Sequence, residues 1–139
     1  MRPSVTRSIT RVNPPTMPNS AAMGYSQISI VEPGRMAYVS GQVAWRADGR
    51  PAPEDLVEQT RIAAANARAA LDALRATPGD IAILRVFMTD LNSGTLEQVF
   101  PPILEFFDGA QPCITGVGVA ALAAPDLKIE LELTVRLPD

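Results

Sequence analysis

The stretch Tyr38-Val39-Ser40-Gly41-Gln42 decides the reading of this chain, together with three segments that follow it. Next comes an alanine-rich run from Pro53 to Ala76 that contains Gln59 and Asn66, interrupted by no glycine until Pro78-Gly79. Its acidic start and its apolar period, Leu56, Ala63, Ala67, Ala70 and Leu74, predict a helix whose small residues let it lie close on a sheet. Ile81 to Asp90 then alternates, with Leu84, Val86 and Met88 on one face against Arg85, Phe87 and Thr89 on the other, which predicts a strand. The chain closes on Lys128-Ile129-Glu130-Leu131-Glu132, a strand with its carboxylates on one side.

Outward from these landmarks, Thr6–Val12 reads as a half-exposed strand and the proline-rich 13–19 as an extended loop. Tyr25–Val31 and Met36–Val43 flank the turn signal Glu32-Pro33-Gly34-Arg35 and are expected to form a hairpin. Leu96–Phe107 reads as a second helix, delayed or kinked by Pro101-Pro102. Pro112–Leu122 and Asp126–Val135 supply the last two strands, expected to form a final hairpin. The fold class is therefore α+β, a single mixed sheet of about six strands with two helices on one face. It is one domain over residues 1–139, residues 1–5 being expected flexible. The second sheet face, assigned Arg85, Phe87, Ile114, Glu130 and Glu132, is too apolar in part to sit in water, which predicts self-association.

Composition narrows the function. With 47% hydrophobic and 19% charged residues the chain is globular, and 12 basic against 15 acidic residues give a formal net charge of −3. That balance lacks the basic footprint of a nucleic-acid binder, so no nucleic-acid partner is expected. No apolar run is long enough for a membrane helix. Cys113 is the only cysteine, which fits a reducing, cytoplasmic setting. The chain has no histidine, which removes the commonest general base and metal ligand, and its carboxylates form no spaced ligand cluster. No metal and no cofactor are expected.

In their order and separations these segments resemble the Rid (reactive intermediate deaminase, or YjgF) family, also labelled endoribonuclease L-PSP-like, from about Thr6 to the C-terminus. The resemblance implies a chorismate-mutase-like fold, a homotrimer, and a small organic ligand held in clefts between subunits. It also implies site residues. Tyr25 matches the pocket tyrosine, Ser40 and Gly41 the pocket Ser-Gly, and Glu130 the acidic residue associated with the reacting water, with Glu132 as the alternative placement. Phe100 stands where a pocket asparagine is common and Gly116 where many members have cysteine.

One element of the pattern is missing. Deaminating members carry Pro-Ala-Arg-Ser where this chain reads Pro112-Cys113-Ile114-Thr115, so Ile114 falls on the substrate-binding arginine. A guanidinium grips a substrate carboxylate through charge-assisted hydrogen bonds worth about 1.5–3 kcal/mol. Its loss weakens transition-state binding roughly ten- to a hundredfold. Arg85 is the nearest cation available to replace it, although an ion pair with Glu130 or Glu132 is the stronger expectation. Glu130 as the acid/base, with Tyr25, Ser40, Gly41, Phe100, Ile114 and Gly116 as ligand contacts, then describes a Rid-type cleft altered for a ligand without the usual carboxylate. That cleft serves binding, or cofactor-independent hydrolysis of an imine or enamine. The alternative is the standard 2-imino acid deaminase; an endoribonuclease or translation inhibitor fits the charge and composition less well.

Overall fold

The computed structural model describes residues 8–139. The flexibility expected of residues 1–5, and the first two residues of the strand expected at Thr6–Val12, lie outside that range. Eight elements follow in order: β1 (Ile9–Val12), β2 (Ile28–Val31), β3 (Met36–Gln42), α1 (Leu56–Ala73), β4 (Ile81–Met88), α2 (Ser93–Phe107), β5 (Cys113–Gly118) and β6 (Ile129–Arg136). The six strands and two helices expected of the sequence are present. Their pairing makes a four-stranded mixed sheet in the order β3-β6-β4-β5 and a two-stranded ribbon of β1 with β2.

Two pairings differ from expectation. β2 does not form a hairpin with β3; it pairs antiparallel with β1, Ile9 opposite Val31, while β3 pairs with β6. The turn between β2 and β3 is pinned instead by Arg136, a buried guanidinium that donates to the carbonyls of Glu32 at 3.1 Å and Pro33 at 2.8 Å. Nor do β5 and β6 form a hairpin. β5 runs parallel to β4, and β6 is inserted between β4 and β3, antiparallel to both. Adjacent strand patterns suggest hairpins locally, but the non-local β6 has the alternating apolar face, Ile129, Leu131, Leu133 and Val135, that the centre of the sheet requires.

The helices cover one face of the sheet. α1 starts at Asp55, whose carboxylate accepts from the Glu58 N–H at 2.9 Å, so Pro53 and Glu54 precede the helix rather than form its first turn. Ala63, Ala67 and Leu71 are fully buried, and the alanines bring the helix close to β6 and β3. α2 begins three residues earlier than its prolines suggest. Asn92 and Thr95 form a reciprocal cap, and Pro101 and Pro102 are accommodated inside the helix, Pro102 buried. Val99, Ile103 and Phe107 complete the core against Leu84, Val86 and Met88.

Two amides tie α1 to the ends of the strands. Gln59, fully buried, donates to the carbonyls of Pro53 and Asp126, both at 2.8 Å, and accepts from the Lys128 N–H at 2.9 Å. Asn66 donates to the carbonyls of Val43 at 3.0 Å and Trp45 at 2.7 Å. These bonds fix the chain two residues before Glu130 and two residues after Gly41. No helix among the described residues is long and apolar enough to cross a membrane.

Candidate functional site

The sequence-derived site residues fall into two groups on opposite faces of the sheet. On β4, Arg85 lies directly across from Glu132 and Phe87 directly across from Glu130 on β6, so these four share the face the helices do not cover. Ile114 pairs with Leu84 and Gly116 with Val86 in the parallel register. Partners in a ladder point the same way, so Ile114 and Gly116 belong to the helix-covered side, where Ile114 packs on the core. The placement of Ile114 beside Arg85 and Glu130 is therefore corrected. The cause is the parallel pairing of β5, which the sequence pattern did not disclose.

The outer-face group is built around a β-bulge. Val39 opposes Leu133 and Gln42 opposes Leu131, so Ser40 and Gly41 together oppose the single residue Glu132. The bulge lets Gly41 run beneath the Glu130 side chain: a Cβ at Gly41 would lie 2.7 Å from both Cγ and Oε2 of Glu130. Only glycine permits that approach. Ser40 is exposed and lines a shallow depression of about 360 Å³ with Tyr38, Arg85 and Glu132. Arg85 Nη1 donates to Glu132 Oε1 at 3.3 Å, the ion pair expected for it, and both side chains are more than two-fifths exposed. Glu130 makes no ion pair among the described residues. Of the two carboxylates, it is Glu132 that is paired with Arg85.

The second group lines a cavity of about 400 Å³ between α2, β5 and the loop before β2. Tyr25, Phe100, Ile114 and Gly116 all face it. Tyr25 meets Phe100 edge to face, ring centroids 6.3 Å apart and planes at 72°. The loop that carries Tyr25 is tied to the entry of β5: Ser26 N–H donates to the Pro112 carbonyl at 3.1 Å, and Gln111 Nε2 to the Ala21 carbonyl at 3.2 Å. Gly116 leaves the floor open, with only Leu91 within 4 Å of where its Cβ would be. Leu91, Leu96 and Glu97 also line the cavity and were not anticipated, although Leu96 and Glu97 lie one helical turn before Phe100. Among the described residues, no lysine or arginine lines it.

Cys113 lies outside both groups, its sulfur 3.2 Å from Ser29 Oγ. Arg11 donates to that hydroxyl at 2.7 Å and to the Ile81 carbonyl at 2.8 Å, and burial lowers its pKa, partly offset by Cys113 and Asp80. This cluster docks the ribbon on the sheet. The described residues contain no group of three or more His, Cys, Asp or Glu placed to hold a metal.

Comparison with known proteins places the fold in a family. The family model described as Endoribonuclease L-PSP matches residues 16–137. TdcF of Escherichia coli K12, named as a candidate reactive intermediate deaminase, is 32% identical over 103 residues, 73% of this chain and 79% of the relative. The RutC family protein YjgH of the same organism is 36% identical over 110 residues, 78% and 81% of the two chains. Among solved structures, the Rid-family protein YyfB of Yersinia pestis superposes with a TM-score of 0.89 at 35% identity, covering 94% of this chain and all of that one. E. coli TdcF with bound serine superposes at 0.64 and 31% identity, covering 81% and 87%.

Proposed function

Since the chain belongs to the endoribonuclease L-PSP family, the family of the Rid (YjgF) proteins, we propose that it is a cofactor-independent small-molecule protein of the reactive-intermediate-deaminase kind, altered for a ligand without an amino-acid carboxylate. The observation that carries this reading is the cavity of Tyr25, Phe100, Ile114 and Gly116, an apolar pocket with no cation on its lining among the described residues. A carboxylate there would lose its hydration without gaining a partner, a cost of at least a few kcal/mol.

The two groups of site residues lie on opposite faces, so a complete site requires a neighbouring copy. A cyclic homotrimer brings the outer face of one subunit, with Glu130, Ser40 and Gly41, against the apolar cavity of the next. The uncovered face supports such an assembly: Tyr38, on β3, is 79% exposed, and Phe87, on β4, shares that face without a helix above it. In the completed cleft, Glu130 moves a proton between water and the nitrogen of an imine or enamine, while Ser40 orients the ligand. The setting is cytoplasmic, in keeping with the single unpaired thiol, Cys113.

Matched ligand pairs test the reading, since a ligand bound only to the native state raises Tm. Amides are expected to stabilise the protein more than carboxylic acids of equal size; the reverse order would show an anion site. One observation favours that second reading, a standard 2-imino acid deaminase: a relative of 31% identity has been crystallised with serine, which bears a carboxylate. RNA cleavage, the activity in the family description, finds less support in a chain of net charge −3.

A further inference from the structure

Among the described residues, the apolar cavity has one charged group on its lining, and that group is an anion. Glu97 stands on α2 one turn before Phe100 and faces the same space. It makes no ion pair among the described residues. Beside it Phe100 and Tyr25 form a corner of two nearly perpendicular rings. Aromatic faces attract cations through their quadrupole, and a carboxylate adds a full counter-charge. Hydrocarbon walls, an aromatic corner, a single carboxylate and, among the described residues, no lysine or arginine make a site for an organic cation of modest size. The charge logic of an arginine-based carboxylate site is inverted.

We propose that the cleft selects amine-derived iminium ions, the protonated imines of primary amines, and that Glu97 determines this specificity. The inference rests on the reading above, which supplies the hydrolytic half of the site through Glu130. Water adds to the iminium carbon to give a carbinolamine, and a proton passes from oxygen to nitrogen. The C–N bond then breaks as the C=O bond forms, so that R2C=NH2+ and H2O yield R2C=O and NH4+ with no oxidant or reductant. The reaction that supplies such a substrate is the two-electron oxidation of a primary amine. Oxidation of an amino acid yields an imine that keeps its carboxylate, and Ile114 offers that group nothing.

Three probes that share a 2-phenylethyl group separate this inference from the reading beneath it: 2-phenylethylamine, 2-phenylethanol and 3-phenylpropionate, each titrated against the full chain by thermal shift and calorimetry. The amine is expected to bind about tenfold more tightly than the alcohol. Glu97→Gln, a substitution at an exposed position, should erase that difference and leave the alcohol unaffected. If the alcohol equals the amine and both exceed the acid, the apolar cleft stands and the role of Glu97 falls. If the acid binds best, or if none of the three binds, both fall. Turnover provides a second measure, with imines generated in place from 2-phenylethylamine by an amine oxidase and from phenylalanine by an amino-acid oxidase. Hydrolysis of the first should be accelerated at least tenfold more than that of the second. Glu97→Gln should raise KM for the first about tenfold with kcat within twofold; a fall in kcat at unchanged KM would overturn the specificity role.

Discussion

Gly41 and Glu130 compete for one volume: the Glu130 side chain lies across the space a Cβ on residue 41 would occupy, within 2.7 Å of Cγ and Oε2. The bulge of Ser40 and Gly41 opposite Glu132 creates this fit. The backbone of β3 thereby acts as the rest on which the carboxylate lies.

Gly41→Ala is therefore expected to displace Glu130 rather than unfold the chain, at a cost of about 1–3 kcal/mol. Glu130→Ala removes the three atoms nearest the new methyl, Cγ, Cδ and Oε2 of Glu130. The double variant should recover most of the stability lost by Gly41→Ala, a coupling of about 1 kcal/mol or more in a double-mutant cycle. Additive losses in urea unfolding would place the strain elsewhere.

Gln59→Ala should cost more than its helical position suggests. Its amide satisfies the Pro53 and Asp126 carbonyls and the Lys128 N–H. Each buried group left unpaired costs about 1–3 kcal/mol, so for the three groups a total of at least about 3 kcal/mol is expected. At roughly 2–4 °C per kcal/mol in this size range, calorimetry should record a fall in Tm of about 10 °C. Residues around Glu130 should lose amide-exchange protection first.

Arg85 is not expected to replace the missing guanidinium. Its guanidinium is already paired with Glu132, directly across from it on β6, at 3.3 Å. Arg85→Gln should alter stability by less than about 1 kcal/mol, as exposed pairs do. Ile114→Arg should shift ligand preference toward carboxylates, at a cost of about 1–3 kcal/mol from displaced core packing. Retention of that shift in the Arg85→Gln background would show that the two positions act independently; its loss would show that they share a site.

The trimer is checked by sedimentation equilibrium, which should give three times the 14.8 kDa chain mass at micromolar concentration. Phe87→Asp, on the uncovered face, should dissociate it and abolish ligand-induced stabilisation together. A monomer that still binds ligand would separate the cavity from the assembly.

Periodicity alone was enough to locate both helices, the alternating strands and the apolar faces of β4 and β6, because those patterns are local and each residue's burial follows from its own spacing. The order and spacing of Tyr38–Gln42, Gln59, Asn66, Val86–Leu91 and Lys128–Glu132 likewise carried the family resemblance, and the isoleucine at position 114 marked the departure from the family's arginine. Strand pairing was another matter. Only the folded chain inserts β6 between β3 and β4 and sets β5 parallel to β4, since pairing is decided by which apolar faces share one core and not by adjacency in sequence. That choice put Ile114 on the side of Phe100 and Glu97, away from Glu130. The same holds for Gly41 beneath Glu130 and for Gln59 against Lys128, contacts between residues 89 and 69 positions apart. A sequence lists such residues, and only tertiary packing makes them neighbours.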